Sequence, residues 1–287
     1  MQAAVPNKTI KVNEYLQTND ENIYAAGDCV SVKNILTDKL VWSPMGSSAN
    51  IEGRILAQNL NGKKIKFKGA LGTAVAKLPE LNVGRTGLTE AAAKEMGFDA
   101  VSVITFEDDK AHYYAGAANF IIKLIADRKT LKILGVQVFG KGAVDKVVDI
   151  VVTAMSMRGT LHDIEDLDLA YAPPFSTAIH PIVHTVNVLF NKINGALETI
   201  TPAEYLEGKG NGYAVFDSCS VATIEGAPYL ELTDINGKLE GYDLDDRLLL
   251  VCNKGKKAYL VQNRLKYYGY TNTRVLEGGV TFNKVKV

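Results

Sequence analysis

Cysteine is scarce in this chain. Cys29, Cys219 and Cys252 form an odd, scattered set with no Cys-x-x-Cys pair. That spacing excludes a disulfide framework and points to a reducing, cytoplasmic compartment. Charge of one sign is missing too: Lys and Arg number 32, as do Asp and Glu. A balanced chain argues against nucleic-acid partners and against a polybasic membrane surface. The richest apolar stretch, Val147 to Met157, is interrupted by Asp149 and is too short to cross a bilayer. Met1 to Asn7 have neither the basic start nor the apolar run of a secretory leader. A soluble protein is expected. A Gly-x-Gly-x-x-Gly fingerprint is also absent, because Gly140-Lys-Gly142 and Gly208-Lys-Gly210-Asn-Gly212 lack its third glycine in place. Without that turn at a helix N-terminus there is no ready pyrophosphate cradle, so a dinucleotide should bind this chain weakly or not at all. No metal site is assigned.

What remains is ample material for packed cores: 287 residues, 47% of them apolar, enough for about two domains or more. The pattern separates into three blocks. Residues 1–68 begin β-rich (Thr9 to Val12, Ile23 to Ala26) and end in a helix from about Ser48 to Leu60, stopped by Asn61-Gly62. The basic, alternating run Lys63 to Lys68 reads as a connector or a solvated edge strand. Residues 69–195 alternate strands and helices. Strands are expected over Ala70 to Leu78 and Ala100 to Phe106, and a hairpin over Phe120 to Phe139 around the turn Asp127 to Thr130. Thr89 is placed to cap a helix over Glu90 to Met96. Val144, Val147, Val148, Val151 and Val152 repeat at helical spacing, and a last helix should run from Pro181 to Ile193. Residues 200–287 have an α/β rhythm of their own: strands at Tyr213 to Asp217, Leu248 to Cys252 and Arg274 to Leu276, with a helix over Lys256 to Tyr268.

Chemistry-bearing motifs occur in each block. In the first, Thr18 is followed by Tyr24-Ala-Ala-Gly27-Asp28, where a glycine would let backbone approach a ligand and a carboxylate beyond it could accept a hydroxyl hydrogen bond. Next comes Pro44-Met-Gly46-Ser47-Ser48-Ala49, a small-residue helix start with free amide donors. Together they resemble the second flavin-contacting motif of the two-dinucleotide-domain flavoprotein reductases, in which it follows the fingerprint and a redox cysteine. The resemblance assigns Gly27, Asp28, Ser47, Ser48 and Ala49 to FAD and reads residues 1–68 as the C-terminal part of an FAD-binding domain. Cys29 does not match the redox cysteine and is read as a small buried residue.

In the second block, Leu169-Ala-Tyr171-Ala-Pro-Pro-Phe175 and Tyr113-Tyr114-Ala-Gly-Ala resemble the dimerisation domain of the same reductases, most closely the coenzyme A-disulfide branch. The resemblance implies a homodimer through residues 69–195. It also implies phenols, Tyr171 and Tyr113 (or its neighbour Tyr114), that reach a thiol substrate of the opposite subunit. His180 stands where the family commonly has aspartate, and neither His180 nor His184 is assigned a role.

In the third, Cys252 follows an apolar strand and precedes a helix, in Cys252-Asn-Lys254-Gly255-Lys256-Lys257. Loop amides and a helix N-terminus there can cup a thiolate, which can attack and carry sulfane sulfur. The block resembles a rhodanese domain, with Lys257 in place of the family's arginine and so without its planar fork. Cys219 is read as structural.

The fold class expected is therefore mixed α/β and α+β: a remnant of an FAD-binding domain, an α+β reductase dimerisation domain and a C-terminal α/β rhodanese-like domain. The resemblance implies the C-terminal half of a coenzyme A-disulfide or per/polysulfide reductase. The full enzyme would use FAD, NAD(P)H and coenzyme A, with Cys252 handling sulfane sulfur from a donor or a coenzyme A persulfide. Two alternatives stay open: a stand-alone sulfurtransferase on a dimer scaffold, and a non-catalytic partner of a separately encoded front half.

Overall fold

The computed structural model describes residues 8–286; the leader reading of residues 1–7 lies outside them. Three sheets organise the chain. The first is small: β1 (Ile10–Lys11) pairs in parallel with β2 (Val30–Lys33), which pairs antiparallel with β3 (Leu40–Trp42). Helix α1 (Gly46–Leu60) follows, and Ile55 and Leu56 pack on a core of Val12, Leu16, Val30, Val32 and Ala70. The strand expected over Ile23 to Ala26 is not formed. Tyr24 makes a single bridge to Gln17, and Ala25 N–H donates to Leu16 O at 3.0 Å. Gly27 then turns at φ +82° into a short 3-10 turn, so extended pairing starts only at Val30. The basic run after α1 is a connector without strand pairing, pinned by Asn59, whose side chain bonds the backbone of Ile65 in both directions.

The second sheet is antiparallel throughout: β4 (Ala74–Lys77), β5 (Asn82–Gly87), β6 (Ala100–Asp108), β7 (Asn119–Asp127) and β8 (Ile133–Gly140), in the order β4-β5-β8-β7-β6. Helix α2 (Glu90–Glu95) sits at its end, its N-terminus capped by Thr89, which accepts from Ala92 N–H at 3.2 Å. Helix α3 (Val144–Ser156) lies on β5 and β8, followed by the single-turn α4 (His162–Glu165). Helix α5 (Pro181–Ile193) lies on β6 and β7. Strand β5 was not expected, because Asn82-Val-Gly84-Arg-Thr-Gly87 carries two glycines. Gly84 is what lets α3 settle: a Cβ there would lie 2.8 Å from Val148. The strand expected from Ala70 shortens to begin at Ala74, since Ala70 bridges Asn34 of the first unit and Gly72 turns at φ +68°.

The third sheet is wholly parallel, in the order β10-β11-β12-β9: β9 (Thr199–Ile200), β10 (Ala214–Asp217), β11 (Leu248–Val251) and β12 (Thr273–Leu276). Strand β11 is central and buried at every position, as an apolar run flanked by two neighbours should be. Helix α6 (Pro202–Leu206) opens with a capping box between Thr201 and Glu204. Helix α7 (Lys256–Tyr267) follows β11, and the one-turn α8 (Gly279–Phe282) follows β12.

The second and third units are locked together at an edge. Strand β6 ends the antiparallel sheet and leaves Ile104 N–H without a strand partner; the carboxylate of Glu277 takes it at 3.0 Å. The same carboxylate, only 3% exposed, accepts from Lys192 at 2.6 Å and from Thr199 at 2.7 Å. Lys254 completes the junction with Asp108 at 2.8 Å, lying over the Phe106 ring.

Candidate functional site

Cys252 stands at the C-terminal end of β11, the edge where ligands meet open parallel sheets. Gly255, at φ +95°, bends the chain back so that its N–H donates to Cys252 Sγ at 3.1 Å before α7 begins. The expected cup of amides is divided, however: Asn253 N–H points to Cys219 Sγ, at 3.2 Å. From behind, the β12–α8 turn grips the loop. Val280 N–H donates to Cys252 O at 3.1 Å, and Thr281 holds Asn253 O through both its N–H and its hydroxyl. Gly279 is indispensable to that fit, because a Cβ there would lie 1.8 Å from Cys252 O. Cys252 is 3% exposed and lies in one core cluster with Phe216, Leu250 and Ala258.

Cationic side chains surround the loop unevenly. Lys256 and Lys257 are exposed at the start of α7, and the charge of Lys257 helps to hold the Glu231 carboxyl below its usual range, after the Tyr229 hydrogen bond that dominates. Next to the loop, between β6, α5 and α7, lies a cavity of about 560 Å³ whose wall includes Lys254, Lys256, Asn187 and His184. His184 Nδ1 is 2.7 Å from Glu107; that hydrogen bond raises the imidazole pKa. His180 is different. It is buried, and burial pushes it down to about 4, so the neutral ring accepts Ile182 N–H through Nδ1 and caps α5 as an aspartate would.

The phenols assigned from sequence stand apart from this loop. Tyr113 is 71% exposed and meets His112 edge-on, and Tyr171 is 51% exposed beside the equally prominent Phe175 and Ile179. Neither hydroxyl bonds any described residue.

The flavin-type turn is open. Asp28 and Ser47 are exposed, and Ser48 and Ala49 half-buried. No side chain caps α1, so its first amides are free. A Cβ on Gly27 would reach Ala49 at 3.6 Å, which is how closely turn and helix approach. Sequence reasoning missed what lies beneath: Glu52, 1% exposed, accepts Gly27 N–H at 2.6 Å. Burial first, and then the Asp28 charge, raise its pKa against the pull of that amide. Its place one turn after Ser48 was the available signal. These residues fit the ring and ribityl end of a flavin; the sequence supplies no loop for the pyrophosphate. Among the described residues no cluster could hold a metal, and no helix is long and apolar enough to cross a membrane.

Family comparisons agree with this division. Residues 73–182 match the dimerisation domain of the pyridine nucleotide-disulphide oxidoreductases, residues 1–50 the pyridine nucleotide-disulphide oxidoreductase model itself, and residues 196–281 the rhodanese-like domain. The chain belongs with these oxidoreductases, as the counterpart of the C-terminal half of the coenzyme A-disulfide reductase type with a rhodanese-like domain behind it. Its relatives narrow the picture. An NAD(P)H coenzyme A polysulfide/persulfide reductase of Pyrococcus horikoshii is 38% identical over 181 residues, covering 63% of this chain and 40% of that protein. The NAD-dependent persulfide reductase from A. fulgidus superposes with a TM-score of 0.89 at 33% identity, covering 96% of this chain and 51% of the other. The reduced CoADR-RHD of Bacillus anthracis gives the same score and identity, with 98% and 51% covered. The chain thus spans about half the length of the solved relatives, and less of the curated one.

Proposed function

We propose that this chain is the C-terminal portion of an FAD-dependent NAD(P)H:disulfide oxidoreductase acting on coenzyme A disulfide or on per- and polysulfides, and that Cys252 is its sulfur carrier. The observation that carries the reading is the Gly255 amide on Cys252 Sγ, at the end of a central parallel strand, in a chain that also bears the flavin-type turn. The domain limits of this reading are 1–68, 69–195 and 200–287, and the separation into three sheets supports it. When bound, FAD would supply hydride acceptance from the nicotinamide and onward reduction of a disulfide. Gly27, Asp28, the free amides of Ser47 and Ser48, and the small side chain of Ala49 would hold its ring and ribityl end. The exposed Tyr171, Phe175 and Ile179 support residues 69–195 as a homodimer face, from which Tyr171 and Tyr113 would donate hydrogen bonds to a thiolate in the partner's site.

At Cys252 the step is a group transfer. The thiolate attacks the outer sulfur of a donor such as thiosulfate, and the donor's S–S bond breaks. Sulfite leaves with the electron pair, and Cys252 is left as a persulfide. The Gly255 amide stabilises the anionic sulfur, while Lys256 and Lys257 draw in an anionic donor. Thiocyanate formed from thiosulfate and cyanide is the test: Cys252→Ser should lower it by roughly a thousandfold or more, and an unchanged rate would remove Cys252 from the reaction. The purified chain should also be colourless and should leave NADH unoxidised. Yellow protein that consumes NADH would contradict that expectation.

A further inference from the structure

Strands β10 and β11 run side by side in parallel, Asp217 opposite Val251, and Ser218 N–H extends the ladder to Val251 O at 2.8 Å. Cys219 and Cys252 are therefore the residues just past the ends of neighbouring strands, offset by one position. Adjacent strands lie about 4.8 Å apart and rise about 3.3 Å per residue, so a one-position offset at the ends of such a pair corresponds to roughly 5–6 Å between Cα atoms, within the span of a disulfide. The two loops meet at one amide: Asn253 N, bonded to the carbonyl carbon of Cys252, donates to Cys219 Sγ at 3.2 Å, while Cys252 Sγ takes the Gly255 N–H at 3.1 Å. Both thiols are buried, at 6% and 3% exposure, in one cluster with Phe216 and Leu250. Each turn is held. The Asp217 carboxylate accepts from Cys219 N–H at 2.9 Å and from Thr223 and Ile224, while α8 grips the Cys252 side. Burial, and then the charge of a Cys252 thiolate, hold the Cys219 thiol above its ordinary pKa in spite of the Asn253 amide.

We propose that Cys219 is a resolving thiol for a persulfide on Cys252, an inference that rests on the sulfur-carrier reading above. The Cys219 thiolate attacks Cys252 Sγ, forming the Cys219–Cys252 bond, and the bond from Cys252 Sγ to the sulfane sulfur breaks. The electron pair leaves on that sulfur as hydrosulfide, which takes the proton given up by Cys219. The sulfane sulfur is reduced as the two cysteine sulfurs are oxidised, and an external thiol or dithiol returns the pair to thiols. Sulfide is thereby released once per chain with no acceptor present.

The test uses the full chain, reduced and then freed of thiol, loaded with thiosulfate and followed for sulfide and by peptide mass. Wild type should release about one sulfide per chain and yield a Cys219–Cys252 cross-linked peptide that dithiothreitol cleaves. Cys219→Ala, and separately Cys219→Ser, should keep the persulfide on Cys252 and release at least about tenfold less sulfide. Equal sulfide release from these variants, or a loaded wild type without the cross-link, overturns the resolving role and leaves Cys252 as carrier. A wild type with neither sulfide nor cyanide-releasable sulfur overturns both. Diamide gives an independent check, for as a two-electron thiol oxidant it should form the same cross-link in a reachable pair without any sulfur donor, and its absence refutes the pairing.

Discussion

The Gly27 turn and the Gly255 loop are the same backbone device put to two uses. In each, a glycine at positive φ, +82° and +95°, sits against the start of a helix whose first residues no side chain caps; α7 follows Gly255 directly, whereas α1 returns to the Gly27 turn only after β2 and β3. What lies under the glycine differs. The Gly27 amide is spent on the buried carboxylate of Glu52, so the turn is braced from within and its outer face, Asp28 and Ser47, stays open. The Gly255 amide is spent on a sulfur, and the loop is closed from behind by α8. Whether the turn is open or shut is decided by the residue beneath it.

That contrast can be broken most sharply at the closed loop. Gly279→Ala puts a Cβ against Cys252 O, at a φ of +54° that L side chains rarely adopt. It should cost about 3 kcal/mol or more in urea unfolding and abolish thiocyanate formation. Retained activity would mean that α8 does not hold the loop. Gly27→Ala meets only Ala49, at 3.6 Å, so the backbone conformation is the main penalty, about 1–2 kcal/mol. A loss as large as that of Gly279→Ala would show the open turn to be packed as tightly as the closed one.

The smallest effect belongs to Glu52. Its folded pKa is raised above the ordinary 4.5, so the native state holds a proton that the unfolded chain releases. Its contribution is full below that ordinary value and is lost as pH rises through the raised one. Glu52→Gln, which keeps an acceptor for Gly27 N–H, should flatten the decline of the urea midpoint across that window. An identical pH profile would show that the brace carries no charge penalty.

Local chemistry was legible in the chain. Thr89 before α2, Pro181 at the start of α5 and the valine stripe of α3 all act within a turn or two, and all form as read. Ile23 to Ala26 failed for a tertiary reason: an apolar run makes a strand only where a partner edge is offered, and here Leu16 and Gln17 supply one bridge and one bond. Strand β5 was hidden by glycines that exist to admit α3, a contact 60 and more residues away along the chain. Of the candidate site, Cys252 and its loop could be found by order along the chain; Glu52 offered only its place one turn after Ser48, and Glu277 and the nearness of Cys219 offered nothing local.

Composition, spacing and caps by themselves determined three α/β-type units, the order of their motifs and the position of the sulfur-bearing loop, because each depends on residues within one turn or strand of one another. Only the tertiary structure decided which buried carboxylate braces Gly27, that Glu277 joins β6 to the parallel unit, and that two thiols 33 positions apart lie in one core, the amide after Cys252 bonded to the Cys219 sulfur. Those pairings are set by strand order and by the cost of leaving a buried amide or carboxylate without a partner, and neither is written in local sequence.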